Sequence, residues 1–200
     1  MPMSLALYLS MSSFALAASI SPGPVNIVAL TTGLHHGFRA SLRHVTGATV
    51  GFTALLLLGG FGIAEVLLRW PGATRLIGGA GVAFLLYLAW NLWVSDGRTS
   101  AGLATQPPSI AAGFTQQWLN PKAWIAAIAG MGAFGTGGGT LRICLFAALY
   151  FAICYASIAA WAYAGARLRH YLDDARRVRA FNRAMAALLA LSAAYLALGG

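Results

Sequence analysis

Two short stretches hold most of the residues that could do chemistry within an otherwise apolar chain. They are Ser21-Pro22-Gly23-Pro24-Val25-Asn26 and Gln116-Gln117-Trp118-Leu119-Asn120-Pro121-Lys122. Proline removes a backbone donor and its ring clashes with the preceding turn, so Pro22 and Pro24 around Gly23 should stop a helix and restart it after Pro24. Pro121 is expected to interrupt a second helix in the same way. Each interruption frees backbone groups, which in lipid are tolerated only where protein or a wet cavity satisfies them. Where a half-helix begins, its free amides and positive dipole end suit a carboxylate. Lys122 adds a full charge there. The candidate binding set is therefore Pro22, Gly23, Pro24, Asn26, Gln117, Asn120, Pro121 and Lys122, with Asn26, Gln117 and Asn120 completing a polar lining. The plainer alternatives are a simple proline kink, and a lysine that snorkels or caps a helix. A doubled proline, an Asn beside each break and an intramembrane lysine favour a site.

Other chemistries find little support. Cys144 and Cys154 lie ten residues apart on one expected helix, about 15 Å along its axis, so they cannot bridge. A thiol-disulfide carrier lacks its approachable pair. His35, His36, His44 and His170 all sit near span ends, and no His, Asp or Glu lies mid-span, so no metal site is expected. Gly137-Gly138-Gly139 lacks the Lys-Ser/Thr of a phosphate loop and reads as a turn. No nucleophile with its base is visible, so no catalytic residue and no cofactor are assigned.

The elements that must position the two stretches follow from composition. The 200 residues are 59% hydrophobic and 8% charged, against roughly a quarter charged in a soluble domain. Thirteen Lys and Arg with four Asp and Glu cannot wet a surface of this size, which excludes a soluble enzyme. A mean hydropathy of +0.73 excludes disorder. What remains is an all-α integral membrane protein. A spanning helix needs about 20 mostly apolar residues, and the uncharged runs give six spans, near Leu5 to Leu34, Val45 to Leu68, Gly72 to Val94, Ile110 to Phe134, Leu141 to Ala166 and Ala180 to Leu198. The runs are continuous rather than alternating, which argues against a barrel. Met1 to Ser19 lacks a basic n-region and runs on into further apolar sequence, so it is read as part of the first span and not as a cleaved signal.

Arginine placement sets the expected orientation, because cytoplasmic links retain positive charge. Arg39, Arg43, Arg98, Arg167, Arg169, Arg176, Arg177, Arg179 and Arg183 fall on one side, against Arg69, Arg75 and Arg142 on the other. Both termini should face outward. The Arg167 to Arg183 cluster suits anionic membrane lipid, and no nucleic-acid partner is expected from it. Within it, Arg169, Asp173 and Arg177 are spaced as surface helix pairs.

The two breaks fall in the first and fourth spans, the first of each set of three. Three is odd, so a second three-span unit must insert with the opposite polarity. The expected architecture is six transmembrane helices as two inverted three-helix repeats, residues 1–100 and 108–200, joined around Gln106-Pro107-Pro108. Gly47-x-x-x-Gly51 and Gly78 to Gly81 allow close helix contact, either within one chain or in a homodimer.

At these residues the chain resembles the LysE/RhtB family of amino acid exporters. Pro22-Gly23-Pro24 match the family's Pro-Gly-Pro-Asn element, with Val25 placing Asn26 one position later. Gly33, Gly37, Arg39, Gly47 and Gly51 are similar to the family's glycine-spaced approach to its second span. Gly79, Tyr87, Leu88 and Trp90 resemble its third, Asn120-Pro121-Lys122-Ala123 its fourth-span signature, and Phe181-Asn182-Arg183 the start of its last. The resemblance implies a plasma-membrane exporter of amino acids or close derivatives, driven by an ion gradient, expected to be of protons. Some relatives carry an acid early in the second span, where this chain has Phe52 and Thr53, and its nearest acid is Glu65. A cationic side chain would lack a carboxylate partner, so neutral substrates of homoserine, threonine or branched-chain type are favoured over basic ones. Amides after Pro24 and Pro121, with Lys122, would hold the carboxylate. Carbonyls at Ser19 to Ser21 or Trp118 to Asn120 would receive the α-ammonium, and Lys122 is the candidate to release the coupling proton. The alternative is a non-transporting membrane assembly or receptor protein.

Overall fold

The computed structural model describes residues 4–62, 71–95, 109–135, 139–168, 171 and 174–198. Glu65, the 106–108 joint and the Arg169 and Asp173 positions lie outside the described residues. The described residues are all-helical, in eight helices: α1 (Leu5–Ile20), α2 (Pro24–His36), α3 (Phe38–Gly60), α4 (Pro71–Val94), α5 (Ile110–Trp118), α6 (Pro121–Phe134), α7 (Gly139–Leu168) and α8 (Ala175–Ala197).

Local chemistry explains the boundaries. The Ser4 hydroxyl accepts the Leu7 amide at 3.3 Å to start α1, and Ser109 does the same for Ala112 at 3.0 Å to start α5. At Ser21 the backbone turns extended, as the residue before proline prefers. Pro24 then supplies the N-terminal turn of α2, and the α1–α2 pair is bent by 60° across Pro22 and Gly23. Gly37, at φ 80°, turns the chain sharply from α2 into α3. That turn lets α3 begin at Phe38, so Arg39 and Arg43, expected in a link, ride on its opening turns. Likewise α8 begins at Ala175, with Arg176, Arg177 and Arg179 on the helix. Charge keeps a residue out of hydrocarbon, but it does not end a helix.

By length and apolarity, α3 and α7 can each cross a membrane, and the bent α1–α2 pair adds a third candidate. The most extensive helix pairings are α3 with α5, α2 with α7 and α4 with α8. The first two are built on glycine. A Cβ on Gly47 would overlap the Ile110 carbonyl, and one on Gly113 the His44 carbonyl, which seals α3 against α5. Gly33 meets the Ala162 carbonyl and Gly165 the Leu30 carbonyl, sealing α2 against α7. Small residues that let backbones touch drive helix association in lipid, where apolar burial offers little. Gly47 and Gly51 both pack on α5 of the same chain, so that face serves the fold itself. One core joins α1, α2, α3, α6 and α7 around Phe52, Phe146 and Tyr150. A second joins α4 and α8 and meets α2 through Ile27.

Candidate functional site

The two helix breaks meet. Lys122, in the first turn of α6, reaches across to the end of α1, where its ammonium donates to the Ser21 carbonyl at 2.9 Å, the Ser21 hydroxyl at 2.8 Å and the Pro22 carbonyl at 3.3 Å. An ammonium has three donors, and all three are engaged. Its stem lies against Gly23, where a Cβ would stand 3.1 Å from Nζ and 3.2 Å from Cδ. Glycine at that position leaves room for the lysine to cross.

The other polar residues tie up the freed backbone. Asn26 donates from Nδ2 to the Ser19 carbonyl at 2.9 Å and to the Ser21 carbonyl at 2.7 Å, folding back over the break from α2. Gln116, which the sequence did not single out for the site, donates to the Pro24 carbonyl at 3.2 Å and so joins the second break to the first. Trp161 donates to the Ile20 carbonyl at 3.1 Å, and Trp124 to the Trp118 carbonyl at 2.8 Å. Several carbonyls expected to await an ammonium are thus already bonded by side chains of the protein.

The two half-helix N-termini differ. Asn120 caps α6: its Oδ1 accepts the Lys122 amide at 3.2 Å, and its Nδ2 donates to Gln117 at 3.2 Å. No side chain caps α2, whose first turn is led in by Gly23. The uncapped end borders a cavity of about 40 Å³ lined by Ser19, Gly23, Asn26, Gln117, Asn120 and Lys122, together with Phe52, Tyr150, Cys154 and Ile158. None of its described lining residues is acidic. Phe52, at the position flagged in the second span, stacks on Tyr150 with ring centres 4.5 Å apart. Lys122 also borders an outer groove of about 420 Å³, bounded by Pro22, Gly23, Pro24 and Asn120 and by Leu188, Leu191, Ser192 and Tyr195 of α8.

Of the candidate residues, Gly23, Asn120 and Lys122 face both spaces, Asn26 and Gln117 the inner one, and Pro22 and Pro24 the outer one. Pro121 instead packs on α4, with its Cγ 3.0 Å from where a Gly81 Cβ would stand. The side chains of Ser19, Tyr150, Cys154 and the α8 wall join the site through helix packing rather than local pattern, so the sequence pointed only to the Ser19 carbonyl. Cys144 and Cys154 are free thiols.

The sequence model of the LysE type translocators matches residues 16–200. The chain belongs to the LysE type translocator family. Cysteine/O-acetylserine efflux proteins are similar to it. That of Escherichia coli O1:K1 / APEC is 33% identical over 123 residues, covering 61% of this chain and 62% of the relative. Those of E. coli strain K12 and Shigella flexneri serotype 5b (strain 8401) are each 32% identical over the same share. The matched segment therefore spans less than two thirds of those relatives' length. No solved structure matches the chain. Family membership makes this LysE type translocator an integral membrane protein, in keeping with its apolar helices.

Within the translocator, Asn26 holds the first break in shape. Replacing Asn26 with Leu, near in size but without a donor, strips the Ser19 carbonyl of its side-chain partner and leaves the Ser21 carbonyl to Lys122 alone. Leaving a buried acceptor unsatisfied costs about 1–3 kcal/mol, so the purified variant should melt several degrees below the parent in a thermal scan. An unchanged melting temperature would show that these carbonyls find other donors.

Proposed function

We propose that this protein is a secondary-active exporter of neutral amino acids or close derivatives across the plasma membrane. The observation that carries the reading is the cavity where the two helix breaks meet, with Lys122 in its wall and no acid among its described lining residues. An uncapped α2 N-terminus beside an intramembrane ammonium suits a carboxylate. A lysine or arginine side chain would have to leave water without a counter-charge. The names of the relatives point the same way, since they efflux cysteine and O-acetylserine.

In this reading the chain makes six spans as two inverted three-helix repeats, residues 1–100 and 108–200, with both termini on the outer side. Substrate carboxylate binds at the α2 N-terminus and Lys122, with Asn26, Gln117 and Asn120 around it. Because all three Lys122 donors are engaged, substrate exchanges for at least one of its bonds to Ser21 or Pro22. That exchange links binding to movement at the breaks. A proton gradient drives the cycle, with Lys122 as the site that gives up the coupling proton.

The test is flux from liposomes holding the purified full chain. Neutral amino acids should leave at least about tenfold faster than lysine or arginine, the ratio set by little more than 1.4 kcal/mol of unpaired charge. Faster efflux of the basic amino acids would reject the substrate class, and no flux of any amino acid would reject transport. A rate indifferent to a collapsed proton gradient would remove the coupling.

A further inference from the structure

Hydroxyls on these helices have a common habit. The buried Thr31, Ser41 and Thr49 each return their proton to a carbonyl in the preceding turn, at 3.0, 2.8 and 2.9 Å respectively. Ser19 does not. It sits in the last turn of α1, 8% exposed, and its Oγ has no hydrogen-bond partner. Tyr150 and Cys154 stand beside it without reaching hydrogen-bond geometry. An unmade bond at a buried hydroxyl is costly, and in a native structure it calls for an occupant. Ser19 lines the inner cavity.

The size of that cavity limits the occupant. One water needs about 10–15 Å³ on this measure, so the space of about 40 Å³ holds about three non-hydrogen atoms. A whole amino acid does not fit, but a side chain of two or three atoms does. Lys122 and Gly23, at the α2 N-terminus, border both this cavity and the larger groove, whereas Ser19, Tyr150 and Cys154 line the cavity alone. A substrate whose carboxylate is held at Lys122 from the groove directs its side chain into the cavity. The walls there are Phe52, Ile158 and the polarizable sulfur of Cys154, which accept a methylene or a thiol.

We propose that the inner cavity is the side-chain subsite and that Ser19 is its specificity-determining residue, favouring small side chains that end in a hydroxyl or thiol over aliphatic ones of equal size. This rests on the transport reading above and adds to it the atom that reads the substrate. The Ser19 hydroxyl both donates and accepts, so it serves either an OH or an SH. An aliphatic isostere would leave it as orphaned as it is now, and sites that hydrogen-bond a substrate group reject analogues lacking that group.

The experiment compares L-serine and L-cysteine with L-2-aminobutyrate, which replaces the heteroatom by a methyl, and includes L-leucine. The purified full chain and its Ser19→Ala variant are reconstituted in liposomes. The parent should move serine and cysteine about tenfold faster than 2-aminobutyrate, and S19A should bring that ratio close to one. S19A should also melt no lower than the parent, because its hydroxyl makes no bond within the protein. A parent ratio near one, or an S19A ratio equal to the parent's, would overturn the proposal and leave water as the partner of Ser19. A lower melting temperature for S19A would also overturn it, by showing a structural bond. Transport of leucine but of none of the three small substrates sinks the subsite while sparing the exporter. Absence of any flux sinks both.

Discussion

Lys122→Met should reduce export by about ten- to a hundredfold while the variant still inserts and purifies like the parent. Methionine keeps most of the stem that lies on Gly23 and loses only the charged head. That head makes the bonds to Ser21 and Pro22 that hold the end of α1 to the start of α6. A charge-assisted hydrogen bond is worth about 1.5–3 kcal/mol, so losing even one that forms with substrate in the transport cycle accounts for a factor of about ten to a hundred. The loss should appear as flux at any substrate concentration, because the ammonium is both the counter-charge for the carboxylate and the link between the two breaks. Normal export by K122M would reduce the lysine to a helix cap and remove the basis of the proposed mechanism.

How much of this site the sequence could reveal depends on how far each residue's role is local. Pro22, Pro24 and Pro121 impose their geometry on their own neighbours, so both interruptions are readable from the chain and the helices end and restart beside them. Asn120 is readable as well, but its effect runs opposite to the simplest expectation. By capping α6 it occupies an amide that sequence alone leaves open for a ligand, and it shifts the candidate carboxylate site toward the uncapped α2. The occupied carbonyls at Ile20 and Trp118 show the same limit, since a sequence shows which groups a break sets free and not which indole will return to claim them. Gln116 and Gln117 are adjacent and chemically identical. Only the helix phase sends one to Pro24 and the other to Asn120. Ser19, Tyr150 and Cys154 meet because α1 lies along α7, a contact with no local signature. The six-span expectation rests on charge-free runs, whereas the arginine-bearing starts of α3 and α8 show that helix and membrane boundaries need not coincide.

The same packing makes the second large effect a matter of a single methyl group. Gly33 and Gly165 each face a carbonyl of the partner helix across the α2–α7 contact, and Gly47 and Gly113 do so across α3–α5. These contacts fix where the half-helices α2 and α5 stand, and hence where the breaks meet. Gly165→Ala would drive its Cβ into the Leu30 carbonyl, a backbone atom that cannot rotate away. Overpacking of this kind costs about 1–3 kcal/mol in a core that can shift, and here the shift must separate whole helices. G165A should therefore lose at least about 3 kcal/mol, seen as a much lower melting temperature and a smaller monodisperse fraction in detergent, with export falling in parallel. Gly79→Ala supplies the contrast. A Cβ there meets nothing within 4 Å, and alanine favours a helix over glycine by about 0.5–1 kcal/mol. G79A should melt at or above the parent temperature. If G165A melted with G79A, the close approach of α2 and α7 would not be what sets the breaks face to face. The Lys122 bridge would then have to position them unaided, an outcome that K122M, measured for stability beside export, would expose directly.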